Sequence, residues 1–212
     1  MPLKAAIVPV TPFQQNCTLL WDEESNRGVV IDPGGDLDRI QAGLSQVGLE
    51  VEKIVLTHGH IDHAGGAAEL KEKLGGVPIE GPHRADQFLL DGLSAQGSAY
   101  GFPETRNVTP DRWLSEGDSV SMAGLSFAVM HCPGHSPGSV VFVNPAQRLA
   151  LVGDVLFRGS IGRTDFPYGD HAALIDGIKT KLLPLGDDIV FICGHGPMST
   201  LGDERRTNPF LA

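Results

Sequence analysis

The chain is poor in cysteine, in positive charge and in long apolar runs, and each scarcity closes off a class of protein. Only three cysteines occur among 212 residues, Cys17, Cys132 and Cys193. They are odd in number, far apart and never in a C-x-x-C pair, which argues against a disulfide frame and suits a reducing compartment. Lysine and arginine total 16 against 26 acidic residues, for a formal net charge of −10. Such a surface repels a phosphate backbone, and Arg205-Arg206 is only a pair, so no nucleic-acid partner is expected. No apolar run approaches the ~20 residues of a membrane span. The opening Met1–Pro9 lacks a long apolar signal core and is broken by prolines. The expectation is a cytoplasmic protein without a membrane partner.

What is present is enough apolar residue, 41%, to bury a core, in a length that suits one domain over residues 1–212. Short runs rich in Val, Ile and Leu predict strands at Ala5–Val10, Cys17–Trp21, Gly28–Ile31, Val51–Leu56 and Pro78–Glu80. Further strands are expected at Ser119–Met122, Leu125–His131, Ser139–Val143, Leu149–Val152 and Asp188–Cys193. Helical spacing of Leu37, Ile40, Leu44 and Val47 predicts a helix over 36–47. Others are expected at Gly65–Leu74, Arg84–Leu93 and Ala172–Leu182, while 94–112 reads as an irregular loop. Strands and helices, then strands and helices again without a linker, fit an α/β fold of two mixed sheets packed face to face, with helices outside.

The stretch Thr57-His58-Gly59-His60-Ile61-Asp62-His63 places three of the eight histidines within six positions. By composition alone H-x-H-x-D-H arises roughly once in a thousand such chains. In an extended loop, His58 and His60 point the same way and can hold one cation. Asp62 and His63 follow the turn and face a second point a few ångströms away. Imidazole suits zinc, iron and manganese, and a carboxylate adds charge neutralisation. Two cations need more ligands than this loop supplies. His135, in Cys132-Pro133-Gly134-His135, Asp154, after Leu151-Val152-Gly153, and His195, in Cys193-Gly194-His195, each stand at or just after a strand end. Chemistry in open α/β folds sits at such places.

This order of H-x-H-x-D-H, His, Asp and His, spread over residues 57–195, resembles the metallo-β-lactamase superfamily. The resemblance implies an αββα sandwich and a dinuclear site. His58, His60 and His135 would bind the first metal, Asp62, His63 and His195 the second, and Asp154 would bridge them. The β-lactamases use a cysteine ligand where none stands here, which weighs against antibiotic hydrolysis.

Gly153-Asp154-Val155-Leu156-Phe157 and the tail Glu204–Phe210 are similar to compact bacterial type II glyoxalases, thioesterases acting on S-D-lactoylglutathione. That likeness implies two divalent metal ions, zinc first with iron or manganese as alternatives, and a glutathione thioester as the small-molecule partner of a monomer or homodimer. It implies attack by a hydroxide held between the metals, with Asp62 and Asp154 as the catalytic carboxylates. The helical C-terminal domain of the longer glyoxalases is not matched. Arg163 stands where their glutathione-binding lysine does, and Asp165 and Pro197 stand where they have tyrosines. Arg163 is therefore a substrate-carboxylate contact or the partner of Asp165. The alternative from the same superfamily is an iron-dependent glutathione-persulfide dioxygenase, which Gly162–Phe166 resembles. Its triad would be His58, His135 and Asp154. A nuclease role conflicts with the charge. Of the other histidines, His83 and His171 read as surface or cap residues, and His131 as a strand histidine or a support for a ligand. Cys193 reads as a small core residue, and Tyr100 and Phe102 as a pocket wall or a loop anchor.

Overall fold

Apolar runs bounded by glycine, proline and asparagine form the strands, and they assemble into two sheets. The computed structural model describes residues 2–102 and 104–212. The first sheet runs in the order β1 (Leu3–Val10), β2 (Gln15–Asp22), β3 (Arg27–Ile31), β4 (Glu50–Val55) and β5 (Ile79–Glu80). Its first three strands are antiparallel, and β3, β4 and β5 run parallel to one another. Helix α1 (Leu37–Val47) makes the crossover from β3 to β4 and buries Leu37, Ile40 and Leu44, the stripe that its spacing predicts. A single helical turn, α2 (Ile61–Ala64), and then α3 (Ala67–Lys73) lead from β4 to β5.

After β5 come a 3₁₀ turn at Arg84–Asp86 and the helices α4 (Gln87–Asp91) and α5 (Leu93–Tyr100). The second sheet contains β6 (Ser119–Met122), β7 (Leu125–His131), β8 (Val140–Asn144), β9 (Leu149–Gly153), β12 (Val190–Cys193) and β13 (Ser199–Thr200), in the order β13-β12-β9-β8-β7-β6. Only β12 and β9 are parallel in it. A two-stranded ribbon, β10 (Leu156–Phe157) with β11 (Ser160–Ile161), follows β9. The helix α6 (His171–Gly177) precedes β12, and α7 (Leu201–Thr207) ends the regular structure.

Both sheets are mixed, and three apolar layers hold them. Leu20, Val29, Ile31 and Val55 of the first sheet meet Phe127, Val129, Phe142 and Leu151 of the second in a fully buried seam. Helices cover the outer face of each sheet through two further clusters. Burial of such side chains stabilises by about 1.5–3 kcal/mol each. The αββα sandwich expected from the order of elements is therefore the observed fold.

Two local expectations are corrected. The stretch 94–112 is not wholly irregular, since α5 occupies Leu93–Tyr100. The helix expected over Gly65–Leu74 begins at Ala67, after the separate turn α2 that carries Asp62 and His63. Among the described residues no helix is long and apolar enough to cross a membrane.

Candidate metal centre

The loops after β4, β7, β9 and β12 converge at one edge of the sandwich, and they carry all seven residues singled out as ligands. His58 and His60 come from the loop after β4, and Asp62 and His63 from α2 behind it. The Nδ1 of His60 lies 3.0 Å from Nε2 of His58 and 2.9 Å from Nε2 of His135. A second group forms alongside. Oδ2 of Asp62 is 3.2 Å from Nε2 of His195 and 3.9 Å from Nε2 of His63. Asp154 stands between the two groups. Its Oδ1 is 3.2 Å from Nε2 of His63, and its Oδ2 is 3.5 Å from Nε2 of both His135 and His195. Each triad is compact enough to hold a metal ion; a third, Asp32 with His58 and His63, shares its histidines with them.

The outer ring nitrogens fix the tautomers. His135 Nδ1 donates to the carbonyl of Arg163 at 2.9 Å, and His195 Nδ1 to that of Phe13 at 3.2 Å. His63 Nδ1 donates to Asp32 Oδ2 at 2.8 Å. Thr57 gives its hydroxyl proton to Asp32 at 2.6 Å, so it accepts from His58 Nδ1 at 3.0 Å. Each of these rings keeps a proton outside and turns its other nitrogen inward, where a bound metal would take that nitrogen's lone pair, the arrangement that metal-bound histidine needs. His60 is turned the other way, with Nδ1 inside and Nε2 2.9 Å from the phenol oxygen of Tyr168. The buried Nε2 of His63 and Oδ1 of Asp154 have no hydrogen-bond partner among the described residues. Lone pairs and carboxylates aimed at one another in the interior are costly unless cations lie between them. The donor set therefore fits metal ions.

Without a cation the charges respond to that crowding. Burial and the neighbouring His135 hold His60 down at about 3. Burial also lowers His58 well below the ordinary imidazole value, with His63 adding to it. His63 goes the other way: burial pushes its pKa down, but Asp154 and Asp62 outweigh that and raise it well above the imidazole range. Asp154, which burial alone would raise, is lowered by His63.

Two buried carboxylates hold the loops. Asp32 accepts from the backbone N–H of Thr57 at 2.7 Å as well as from Thr57 Oγ1 and His63. Asp86 accepts from Gly59 N–H at 2.8 Å, from Ser136 Oγ at 2.7 Å and from Gly138 N–H at 2.5 Å. It thus ties the His58–His60 loop to the His135 loop. Gly194 is required by close approach, since a Cβ there would run into Asp154 Oδ1 and the His63 ring. Gly65 and Gly66 serve the same way. Both have negative φ, and a Cβ would meet Gly34 O and Pro33 O at 2.8 and 2.7 Å, so tight packing rather than a left-handed turn calls for glycine.

A cavity of about 780 Å³ opens over the centre. Its walls include Phe13, Phe88, Tyr100, Phe157, Phe166 and Tyr168, and Arg163 is its one Lys or Arg. Arg163 lies 4.4 Å over the Phe166 ring and forms a bidentate pair with Asp165, with Nε and Nη2 each 2.7 Å from a carboxylate oxygen. The ion-pair alternative for Arg163 is thus present, on a side chain that also faces the cavity. Tyr100 lines the wall, whereas Phe102 packs onto the core beneath Phe13. Burial, with Asp86 behind it, raises the Tyr168 phenol above its ordinary range.

His131 donates to the Pro137 carbonyl at 2.8 Å and stacks on His83, so it touches the loop of His135 rather than the ring. His83 accepts from Ala85 N–H, and His171 follows the helix cap Asp170. Cys193 is buried, and burial pushes its thiol up to about 11, as suits a small core residue. Sequence reasoning missed Asp32, Asp86 and Tyr168. Asp32 was visible only as the head of Asp32-Pro33-Gly34-Gly35, a turn cluster.

A paired-sheet scaffold with histidines and carboxylates converging at its edge defines a protein built to hold metal ions. The family model described as "Metallo-beta-lactamase superfamily" matches residues 10–195, and the chain belongs to that superfamily. It is 48% identical over 206 residues to hydroxyacylglutathione hydrolase GloC of Haemophilus influenzae, covering 97% of this chain and 96% of that protein. Among solved structures, TTHA1623 in a di-iron-bound form is 40% identical with a TM-score of 0.86, covering 97% of this chain and 100% of that one. The BLEG-1 B3 metallo-beta-lactamase is 35% identical with a TM-score of 0.89, covering 98% and 99%.

Proposed function

We propose that the protein hydrolyses acyl thioesters in the manner of a type II glyoxalase, with S-D-lactoylglutathione or a related thioester as substrate. The observation that carries this reading is the tautomer pattern. The outer nitrogens of His58, His63, His135 and His195 all donate, which leaves their inner nitrogens for metal; those of His63, His135 and His195 face Asp62 or Asp154, and that of His58 faces His60 Nδ1. Two divalent cations, zinc with iron or manganese as alternatives, fit the two triads, His58/His60/His135 and Asp62/His63/His195. Bound there, they would lower the pKa of a shared water and polarise the substrate carbonyl.

The chain's own residues do the rest. Asp154, in reach of both triads, holds them at a fixed separation. Asp62 takes the proton side of the attacking water and orients it. Asp32 keeps the His63 ring in register, and Asp86 keeps the His60 and His135 loops together. The aromatic walls exclude water and seat the acyl and thiol portions. Water adds to the acyl carbon, the C–S bond breaks, and thiolate and acid leave. A thiolate needs no strong general acid. Arg163 uses Nε and Nη2 on Asp165, which leaves Nη1 to contact a substrate carboxylate.

The relative named as a hydroxyacylglutathione hydrolase supports the thioester. One structural neighbour is a B3 metallo-beta-lactamase and another is di-iron-bound, which makes β-lactam opening and iron-dependent oxidation the rivals to test. The test sets metal-loaded protein against S-D-lactoylglutathione, a chromogenic β-lactam, and glutathione persulfide with oxygen uptake recorded. Thiol release from the thioester alone is expected. Rapid oxygen uptake or β-lactam opening, with the thioester intact, would overturn the reading.

A further inference from the structure

Tyr168 touches the centre from the cavity side. Its phenol oxygen lies 2.9 Å from Nε2 of His60, the one ring of the five that presents Nδ1 inward. The direction of that hydrogen bond follows from its surroundings. Nδ1 of His60 faces the lone pairs of His58 and His135. Those two rings hold their own protons outward, on Thr57 Oγ1 and the Arg163 carbonyl. For all three nitrogens to share a cation, the His60 proton must sit on Nε2 and be donated to Tyr168. The phenol is then an acceptor toward His60, and its own O–H is directed elsewhere.

The phenol oxygen itself is held in place. The Tyr168 ring is stacked on Phe166, with centroids 5.2 Å apart and an interplanar angle of 13°, and it meets the edge of Phe88 at 5.2 Å. Held on two sides, it keeps its oxygen at one point of the cavity wall. The wall next to it is apolar, formed by Phe88 and Phe166, and Nε and Nη2 of Arg163 are held by Asp165. A neutral donor in such a wall suits an uncharged oxygen of the substrate rather than a carboxylate. The position also says which oxygen. The phenol is one imidazole ring-width outside the His58/His60/His135 trio, so it serves a group beside the reacting carbonyl and not the carbonyl itself.

We infer that Tyr168 is a specificity-determining residue that donates a hydrogen bond to the oxygen on the carbon next to the thioester carbonyl, and so selects 2-hydroxyacyl thioesters. The inference rests on the thioesterase reading. It differs from a purely positioning role for Tyr168, in which the phenol would only steady His60.

The full chain loaded with zinc is compared with Tyr168→Phe on S-D-lactoylglutathione and on S-propionylglutathione, which lacks only the 2-hydroxyl. Two further readouts are the calorimetric affinity for S-(2-hydroxypropyl)glutathione, a thioether that cannot be hydrolysed, and retention of metal against a chelator. Wild type is expected to favour the lactoyl substrate in kcat/KM, and Tyr168→Phe to shrink that preference by about tenfold, the effect of one neutral hydrogen bond. With the metal sites kept saturated, affinity for the thioether should fall by a similar factor, and any loss of metal retention should be the smaller effect. Equal losses on both substrates, an unchanged preference, or weakened metal retention as the main effect would overturn the assignment of Tyr168. Failure of wild type to hydrolyse either thioester would instead defeat the thioesterase reading on which it stands.

Discussion

Asp154 Oδ2 lies 3.5 Å from Nε2 of His135 and equally far from Nε2 of His195, two histidines that belong to different triads. Its other oxygen faces His63 and has no hydrogen-bond partner among the described residues. A carboxylate so placed is the one group that both halves of the centre share. Replacing it by Ala is expected to lower activity by roughly a hundredfold or more and to reduce metal content at both positions. Metal analysis alongside turnover checks this, and full turnover by Asp154→Ala would remove the bridging role.

Asp32 acts through His63. Asp32→Asn keeps the size of the side chain but offers an amide where His63 Nδ1 and Thr57 need an acceptor. Metal affinity should fall by about 10–100-fold, the usual effect of losing a carboxylate behind a ligating histidine. Chelator competition measures it. An unchanged affinity would mean that the Asp32–His63 contact is incidental.

Asp86 is a stability residue as much as a site residue. Asp86→Ala leaves the buried N–H groups of Gly59 and Gly138 without their acceptor. A loss of about 3 kcal/mol is expected from two such donors. Denaturant unfolding gives the number, and a change below about 1 kcal/mol would show that water replaces the carboxylate easily.

Metal binding should release protons. Asp154 and Asp62, working against burial, raise the pKa of His63 above the ordinary imidazole value and so favour its protonated form. A cation can bind only after that proton leaves, so affinity should rise with pH through neutrality and fall in acid. Titration calorimetry in two buffers of different ionisation enthalpy counts the protons. Zero release at pH 7 would contradict the burial and charge of this site.

The seven converging residues were legible because a dense motif and three strand-end residues carry chemistry in their types. The αββα arrangement was legible because Val, Ile and Leu runs alternate with helical spacing. The supports were not. Asp86 holds Gly59 and Gly138 from 27 and 52 positions away, and nothing in Arg84-Ala85-Asp86-Gln87 marks a buried acid. Tyr168 reaches His60 across 108 residues. Helix α5 was hidden by its own sequence, since Gly97 lowers helix propensity. The fold needs that glycine, because a Cβ there would meet Thr105 and the Phe102 carbonyl at 2.6 Å. Tertiary contact, which a single sequence does not display, decides each of these.

The central claim is a two-metal centre that hydrolyses thioesters. Its most direct test is to add zinc stepwise to metal-free protein and follow thiol release from S-D-lactoylglutathione at each step. Activity is expected to keep rising until two equivalents per chain are bound. Full activity at one equivalent, or no thiol release at any loading, would contradict it.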